Sequence, residues 1–452
     1  MVLLAWGALA FGAVYPWAYW PLAIGCAGLG GWAILSTEAW RDPRATGLMA
    51  ALGIVAFAIL LQVVPWPSSV TALVSPELGA FFERYQFGYE PPRFQALSIA
   101  PGITWVALGL FVAFALLMVG VARILRSVGI EKIAAGVTIL GVLLAVVGIV
   151  QKPLIDAERP LVYGFWKPLD GGSVFGPFIN RNHFAGWMVM VLPVVIGYSC
   201  GVVHALRPPR GNAWLDRLHW ASSVEANRFL LAVGAVLVMG ASIALTQSRS
   251  GMMALAAAIS VIAAFVIARA TSPRVRLAAM VYFAALLVAV VFWTGAGSTV
   301  NRFAEAPTAV AGRLSVWRDA ERIAADFPIA GTGLGTFGRA MLVYQTSRRD
   351  LMYEQAHNDY LQLAAEGGLL VGVPALIAIV LLIRNIRRRM ASGDDDVLTS
   401  WVRIGAVAGL VGIGVQSSME FSLQMPGNTA MFAFVAALAL HRSRRSSRAH
   451  RI

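Results

Sequence analysis

From Phe184 to Val203 the chain carries no charged residue, over a length sufficient to cross a bilayer. A helix rising ~1.5 Å per residue needs about 20 residues to pass a hydrocarbon core of ~30 Å, so this run constrains the fold more than any other feature. Directly before it stand Asn180, Arg181, Asn182 and His183, a polar cluster at the threshold of a lipid-embedded helix. Comparable runs recur, and with 58% hydrophobic and 13% charged residues the chain is not an ordinary soluble globule. The apolar runs are rich in Leu, Val, Ala and Gly and lack the alternation of lumen-lining strands, so helices are expected in place of a barrel.

The expected fold is an all-α polytopic integral membrane protein with about twelve spans. They are placed at 2–15, 18–36, 46–64, 102–122, 133–151, 182–203, 229–247, 251–268, 277–296, 368–383, 401–417 and 426–441. No cleavable signal with a charged leading region is expected before the first of them. With both termini cytoplasmic, most of the 36 Lys and Arg fall in inside segments, as the positive-inside rule requires. That orientation puts segments near 65–101 and 152–181, and a long loop over 297–367, on the outer side. The chain divides accordingly into spans one to nine (1–296), an outer loop expected to be catalytic (297–367), and spans ten to twelve with a basic cytoplasmic tail (368–452). The net charge of +13 then serves topology and gives no reason to expect a nucleic-acid partner.

Within the long loop, AGRLSVWRDAERIAADFP spaces Leu314, Trp317, Ile323, Ala324 and Phe327 as the apolar face of a short amphipathic helix closed by Pro328. GTGLGTFG follows as a glycine-rich turn. Its spacing resembles a nucleotide-binding loop, but it follows no strand and opens no βαβ helix. AHNDYLQLAAEGG reads as a second helix stopped by Gly367 and Gly368. The acidic run Asp394, Asp395 and Asp396 precedes a span, where carboxylates favour a helix N-terminus, so no metal site is expected there. Cys26 and Cys200 both lie in apolar segments and are read as packing residues.

Arg181, Arg249 and Arg313 all fall on the outer side of this topology, against the prevailing bias. A guanidinium stays charged and presents a fork matched to phosphate oxygens, so several around one point suit a pyrophosphate; interfacial anchoring is the plainer role. His183 and His357 are the outer histidines, and an imidazole at His357, with Tyr360 on the same helix, can accept a proton or simply make a structural hydrogen bond. Glu420, in the short turn MEFSLQMPGN, reaches the same side, either to orient a substrate or to cap a helix.

NRNHFAGW at the start of one span, SRSG between two others, GRLSVWRDAERIAADFPIAGTGLGTF, and AHNDYLQLAAEGGLLVG before a further span together resemble the O-antigen ligase and O-antigen polymerase superfamily, most strongly over about 175–372. The resemblance implies a GT-C-like membrane fold and an inverting, metal-independent glycosyltransferase without cofactor, at the periplasmic face of the bacterial inner membrane. Its donor would be a glycan on undecaprenyl pyrophosphate. Its acceptor would be a sugar hydroxyl of a glycolipid for a ligase, or a second lipid-linked glycan for an O-antigen or exopolysaccharide polymerase. By motif position, Arg181, Arg249 and Arg313 would hold the donor pyrophosphate, His357 would be the general base, and Asn358 would support it, with His183, Tyr360 and Glu420 nearby. A lipid-glycan flippase is the rival from another class. Transporters place ionisable groups near the bilayer midplane, whereas here the span interiors are nearly free of charge.

Overall fold

A computed structural model describes residues 1–36, 43–156, 160–168, 173–205, 224–270, 272–274, 276–277, 280–281, 283–285, 306–393 and 395–441. The regular structure of these residues is helical apart from one antiparallel strand pair, β1 (Pro65–Pro67) and β2 (Phe94–Ala96), with Trp66 opposite Gln95, and two isolated bridges. Nine of the described helices are long and apolar enough to cross a membrane. They are α2 (Pro16–Ser36), α3 (Pro43–Val63), α6 (Pro101–Val128), α7 (Ile130–Gln151), α8 (Arg181–Ala205), α9 (Val224–Thr246), α10 (Arg249–Arg269), α13 (Asp359–Ala391) and α14 (Val397–Gln416). The protein is thus an all-α, multi-pass membrane protein. The shorter apolar α15 (Pro426–Leu440) packs against α6 and α14.

The first expected span is not continuous. The α1 helix (Val2–Leu9) has 8 residues and is followed by a 3-10 turn in which Phe11, Gly12 and Ala13 all have positive φ. Eight residues rise only ~12 Å, too little to cross the core. The segment instead packs inward, where Gly7 abuts Gly427 at the start of α15. Phe11 joins Tyr15, Trp17, Tyr163 and Trp166 in an aromatic cluster. Most of the expected span 277–296, the start of the long loop to 305, Asp394 and the tail arginines lie outside the described residues.

The centre of the bundle is the antiparallel pair α8 and α14. Along their contact, Gly197 faces the Trp401 carbonyl, Gly405 faces that of Pro193, and Gly409 faces that of Met190. An added Cβ on Gly409 would come 2.5 Å from the Met190 oxygen. In lipid no hydrophobic force drives helices together, so close backbone packing at small residues does it. At the far end of α14, buried Arg403 pairs with Asp395 and binds the carbonyls of Ala439 and His441, while Asp396 caps the helix by accepting from the Thr399 amide at 2.9 Å. The capping role expected of the acidic run is therefore what Asp396 performs. Cys26 is buried, and both it and Cys200 are free thiols.

Four helices outside the nine candidate spans are α4 (Ser68–Val74), α5 (Glu77–Tyr85), α11 (Ala306–Asp326) and α12 (Phe337–Tyr344). Of these, α5, α11 and α12 share a small core of Leu78, Phe81, Val316, Ala320, Ile323, Phe327, Phe337 and Met341. The apolar face of α11 is therefore rotated from the sequence expectation: Val316 and Ala320 are buried, whereas Leu314 is exposed. Trp317 is half-buried, and its indole N–H donates to the Ala356 carbonyl at 3.0 Å. Gly368, with φ 52° and ψ −157°, interrupts α13 where the sequence placed a stop, yet the helix resumes immediately.

Candidate active site

The close approach of α8 and α14 decides what meets at one end of the bundle. There α8 starts, α14 finishes, and the chain turns through Glu420 before α15. Asn180 accepts from the Asn182 amide at 2.8 Å and so caps α8. Gln416, the last residue of α14, donates to the Asn182 carbonyl at 2.9 Å, and Asn428 of α15 donates to the His183 carbonyl at 3.0 Å. From the other side Asp359 ties the start of α13 to this turn: its amide donates to the Ser417 carbonyl at 2.8 Å, and its carboxylate accepts from the Leu423 amide. The Glu420 turn is thus pinned by three helices.

Glu420 is 1% exposed, and its carboxylate gathers three donors from distant parts of the chain. Oε1 accepts from Arg313 Nη2 at 2.6 Å and from Asn182 Nδ2 at 2.8 Å; Oε2 lies 3.2 Å from His357 Nδ1. Burial pushes the Glu420 carboxyl up, but the His357 hydrogen bond and the neighbouring Arg313 and histidine charges outweigh it and hold the group below the ordinary carboxylate value. A carboxylate facing Nδ1 selects the tautomer in which Nδ1 carries the proton, which leaves Nε2 as the basic nitrogen. All three donors are partly exposed, the side chains of His357 at 30% and of Arg313 at 42%. His357 itself has φ 51°, a left-handed conformation that is uncommon for a residue with a Cβ and tends to persist where surrounding structure enforces it.

Phe421 is an unanticipated member of the cluster. The rings of His183 and His357 both meet it edge-on, with centroids at 4.6 and 4.8 Å. His183 is buried beneath this ring. Asn358 turns its side chain to its own helix, accepting from the Tyr360 and Leu361 amides at 3.1 Å, so it caps α13 and fixes where His357 leaves the helix. The Tyr360 hydroxyl donates to the Gly414 carbonyl at 2.7 Å, tying α13 to α14.

Arg181 is the first residue of α8 and lies close enough to Lys152 for their charges to interact. Arg249 is the first residue of α10, whose N-cap Ser248 accepts from the Gly251 amide at 3.1 Å. A Cβ on Gly251 would sit 2.6 Å from that of Ala185, so the first turns of α10 and α8 lie side by side. Arg249 is exposed and has no ion-pair partner among the described residues. The three arginines thus come from the starts of two adjacent helices and from α11, and of the three it is Arg313 that contacts Glu420. Among the described residues no group of His, Cys, Asp and Glu has the arrangement of a metal site.

The glycine-rich turn forms a second, separate cluster. Gly331, Gly333 and Gly335 all have positive φ, and the amides of Gly335 and Phe337 donate at 2.8 and 2.9 Å to Glu366, a fully buried carboxylate on α13. Gln62 of α3 clasps the same turn, donating to the Ala330 and Glu366 carbonyls at 2.7 and 2.9 Å. The loop that resembles a phosphate cradle therefore holds one of the protein's own carboxylates.

Fold and site together define a multi-pass helical membrane protein with an Arg, His and Glu cluster at one end of its bundle. Residues 234–376, from α9 into α13, match the family described as Wzy_C: O-Antigen ligase, which supports an assignment to the O-antigen ligase and polymerase superfamily. The matched stretch contains Arg249, Arg313, His357 and Glu366, whereas Asn182 and Glu420 lie outside it. No curated protein matches the chain. The family supports an activity of O-antigen ligase or polymerase type on lipid-linked glycans in a membrane.

Proposed function

We propose that the chain transfers a glycan from undecaprenyl pyrophosphate to a sugar hydroxyl of an acceptor glycolipid, with inversion and without a metal, from the periplasmic face of the inner membrane. The convergence of His357, Arg313 and Asn182 on the buried Glu420 carries this reading. In the proposed step the acceptor oxygen attacks the anomeric carbon as its proton passes to His357 Nε2. The bond from that carbon to the pyrophosphate oxygen breaks, and its electron pair leaves with undecaprenyl pyrophosphate. Glu420 holds Nδ1–H and offsets the imidazolium charge as it forms. The leaving pyrophosphate gathers negative charge, which Arg181, Arg249 and the N–H groups of Arg313 not engaged by Glu420 are suited to stabilise. On this reading the chain from 297 to 367 is the catalytic loop, between spanning helices on either side.

The test is donor consumption by purified protein in EDTA. Undecaprenyl-pyrophosphate glycan is supplied with either lipid A-core or a second lipid-linked glycan. We expect turnover with one acceptor only, which names the chain ligase or polymerase, and a loss of ~10²–10⁴-fold in His357→Ala with donor binding retained. Wild-type turnover by folded His357→Ala removes the base assignment. A strict requirement for Mg²⁺ or Mn²⁺ removes the arginine mechanism, and donor binding without turnover on either acceptor moves the reading to a flippase.

A further inference from the structure

A second cavity lies away from the Glu420 cluster, where α5, α12 and the start of α6 meet. It encloses about 440 Å³ and is lined by Phe81, Tyr85, Ile99, Ile103 and Arg339, with Ala100 to Gly102 at its edge. Three observations bear on what it takes. The first is depth: Pro101 opens a spanning helix, so the cavity sits at the first turn of that helix, at the level where the bilayer ends. Trp105, one turn further into α6, is half-exposed, as are Phe94 and Tyr85, and Phe87 is fully exposed. Aromatic side chains in such numbers mark the headgroup level of a membrane.

The second observation is charge. Arg339 is the one charged residue lining the cavity; its side chain is exposed, and it has no acidic partner among the described residues. By contrast Arg313 and Arg348 are both committed to carboxylates. The third is the shape of the wall. Phe81 and Tyr85 stack with centroids 5.8 Å apart at 16°, presenting a flat aromatic side beside the aliphatic Ile99 and Ile103. A polar anion free in water gains nothing from such walls. A phosphate that carries an apolar tail gains from both features.

We propose that this cavity binds the headgroup of an anionic membrane lipid, with its phosphate on Arg339 and the root of its acyl chains against Ile103 and the outer face of α6. Such a lipid fastens α5 and α12, which hold the outer loop, to the membrane edge of α6. The site does not depend on the glycosyl-transfer reading, since it uses none of the residues assigned there.

The experiment is native mass spectrometry of the full-length protein in detergent, titrated with dioleoyl-phosphatidylglycerol or dioleoyl-phosphatidylcholine. Wild type is expected to retain phosphatidylglycerol about five- to tenfold more tightly, the size of one Arg contact with an anionic headgroup. Arg339→Gln should fall to the phosphatidylcholine level, and Arg339→Lys should recover part of the preference. Gly102→Phe gives a second route: a Cβ at Gly102 meets nothing within 4 Å, so the ring can enter the cavity it lines with Arg339 left in place. It should weaken phosphatidylglycerol to the same extent. Arg348→Gln, an arginine of the same outer part paired with Asp350, should change nothing. Equal binding of the two lipids by wild type, or undiminished phosphatidylglycerol binding by Arg339→Gln, overturns the proposal. Complete displacement of phosphatidylglycerol by millimolar inorganic phosphate would assign the cavity to a free anion, and that also overturns it.

Discussion

Two glutamates on the same side of the molecule, Glu366 and Glu420, are each 1% exposed and each accept three hydrogen bonds, yet they are built for different ends. Glu366 accepts from the amides of Gly335 and Phe337 and from Gln362 Nε2 at 3.1 Å, all neutral donors fixed by the backbone or by its own helix. Glu420 accepts from a guanidinium, from an imidazole and from a carboxamide, each on a different element. None of the three donors of Glu366 can change charge, and Phe337 and Gln362 are buried. Around Glu420 all three donors are partly exposed, and one can exchange a proton. The first arrangement locks a turn; the second connects a buried charge to groups that a substrate can touch.

The largest effect expected from this contrast is on turnover in Glu420→Gln. The carboxamide keeps the shape but loses the charge that offsets a protonated His357, and we expect kcat to fall about 10²-fold, the size of a removed electrostatic contribution in a closed site. Folding should survive, because Arg313 is exposed enough for water to solvate the guanidinium left behind. Full turnover in Glu420→Gln would mean that the two carboxylates do not differ as described.

Glu366→Gln is expected to reverse the pattern. A carboxamide turns its NH₂ toward one of two backbone amides, leaving a buried donor unsatisfied at a cost of about 1–3 kcal/mol. The thermal midpoint of the purified protein should drop while kcat stays within about threefold of wild type. A turnover defect without loss of stability would assign Glu366 to chemistry.

The two carboxylates were unequally legible. Motif order pointed to His357, Arg313, Arg249 and Arg181, because the chemistry they suit is a property of residue type and local context. Glu420 stood out as a carboxylate in a short turn, but with two roles open. The structure settles its partners through contacts across 63, 107 and 238 positions, which no local spacing encodes. Phe421 carried no signal, since an aromatic residue near a span end is ordinary. Glu366 carries no signal beside the glycines of its helix, and the spacing of the glycine turn does not reveal that its amides donate to a carboxylate of the same chain. Among the spans, long apolar runs identified the helices well. The run 2–15 misled because hydrophobicity does not report the left-handed backbone at Phe11, Gly12 and Ala13 that breaks it.

A smaller effect sharpens the contrast within the Glu420 site itself. Asn182 is its neutral donor, fixed by the capped start of α8. Asn182→Ala removes one hydrogen bond, about 0.5–1.5 kcal/mol, but leaves Arg313 and His357 engaged, so kcat should fall roughly three- to tenfold. A loss as large as that of Glu420→Gln would show that Asn182, and not the charge, sets the position of the carboxylate.

The smallest expected effect is on the pH dependence of stability. Because the folded-state pKa of Glu420 is held below its unfolded value of about 4.3, the stability its ion pairs supply is present above that value. It is lost only as pH falls through the depressed folded pKa. The difference in thermal midpoint between wild type and Glu420→Gln should therefore not shrink from about pH 8 to pH 5, and should close only in stronger acid. If the difference instead shrinks between pH 8 and 5, Glu420 takes up its proton near neutrality. Its donors would then fail to hold the charge, and it would be a poor counter-ion for an imidazolium at His357.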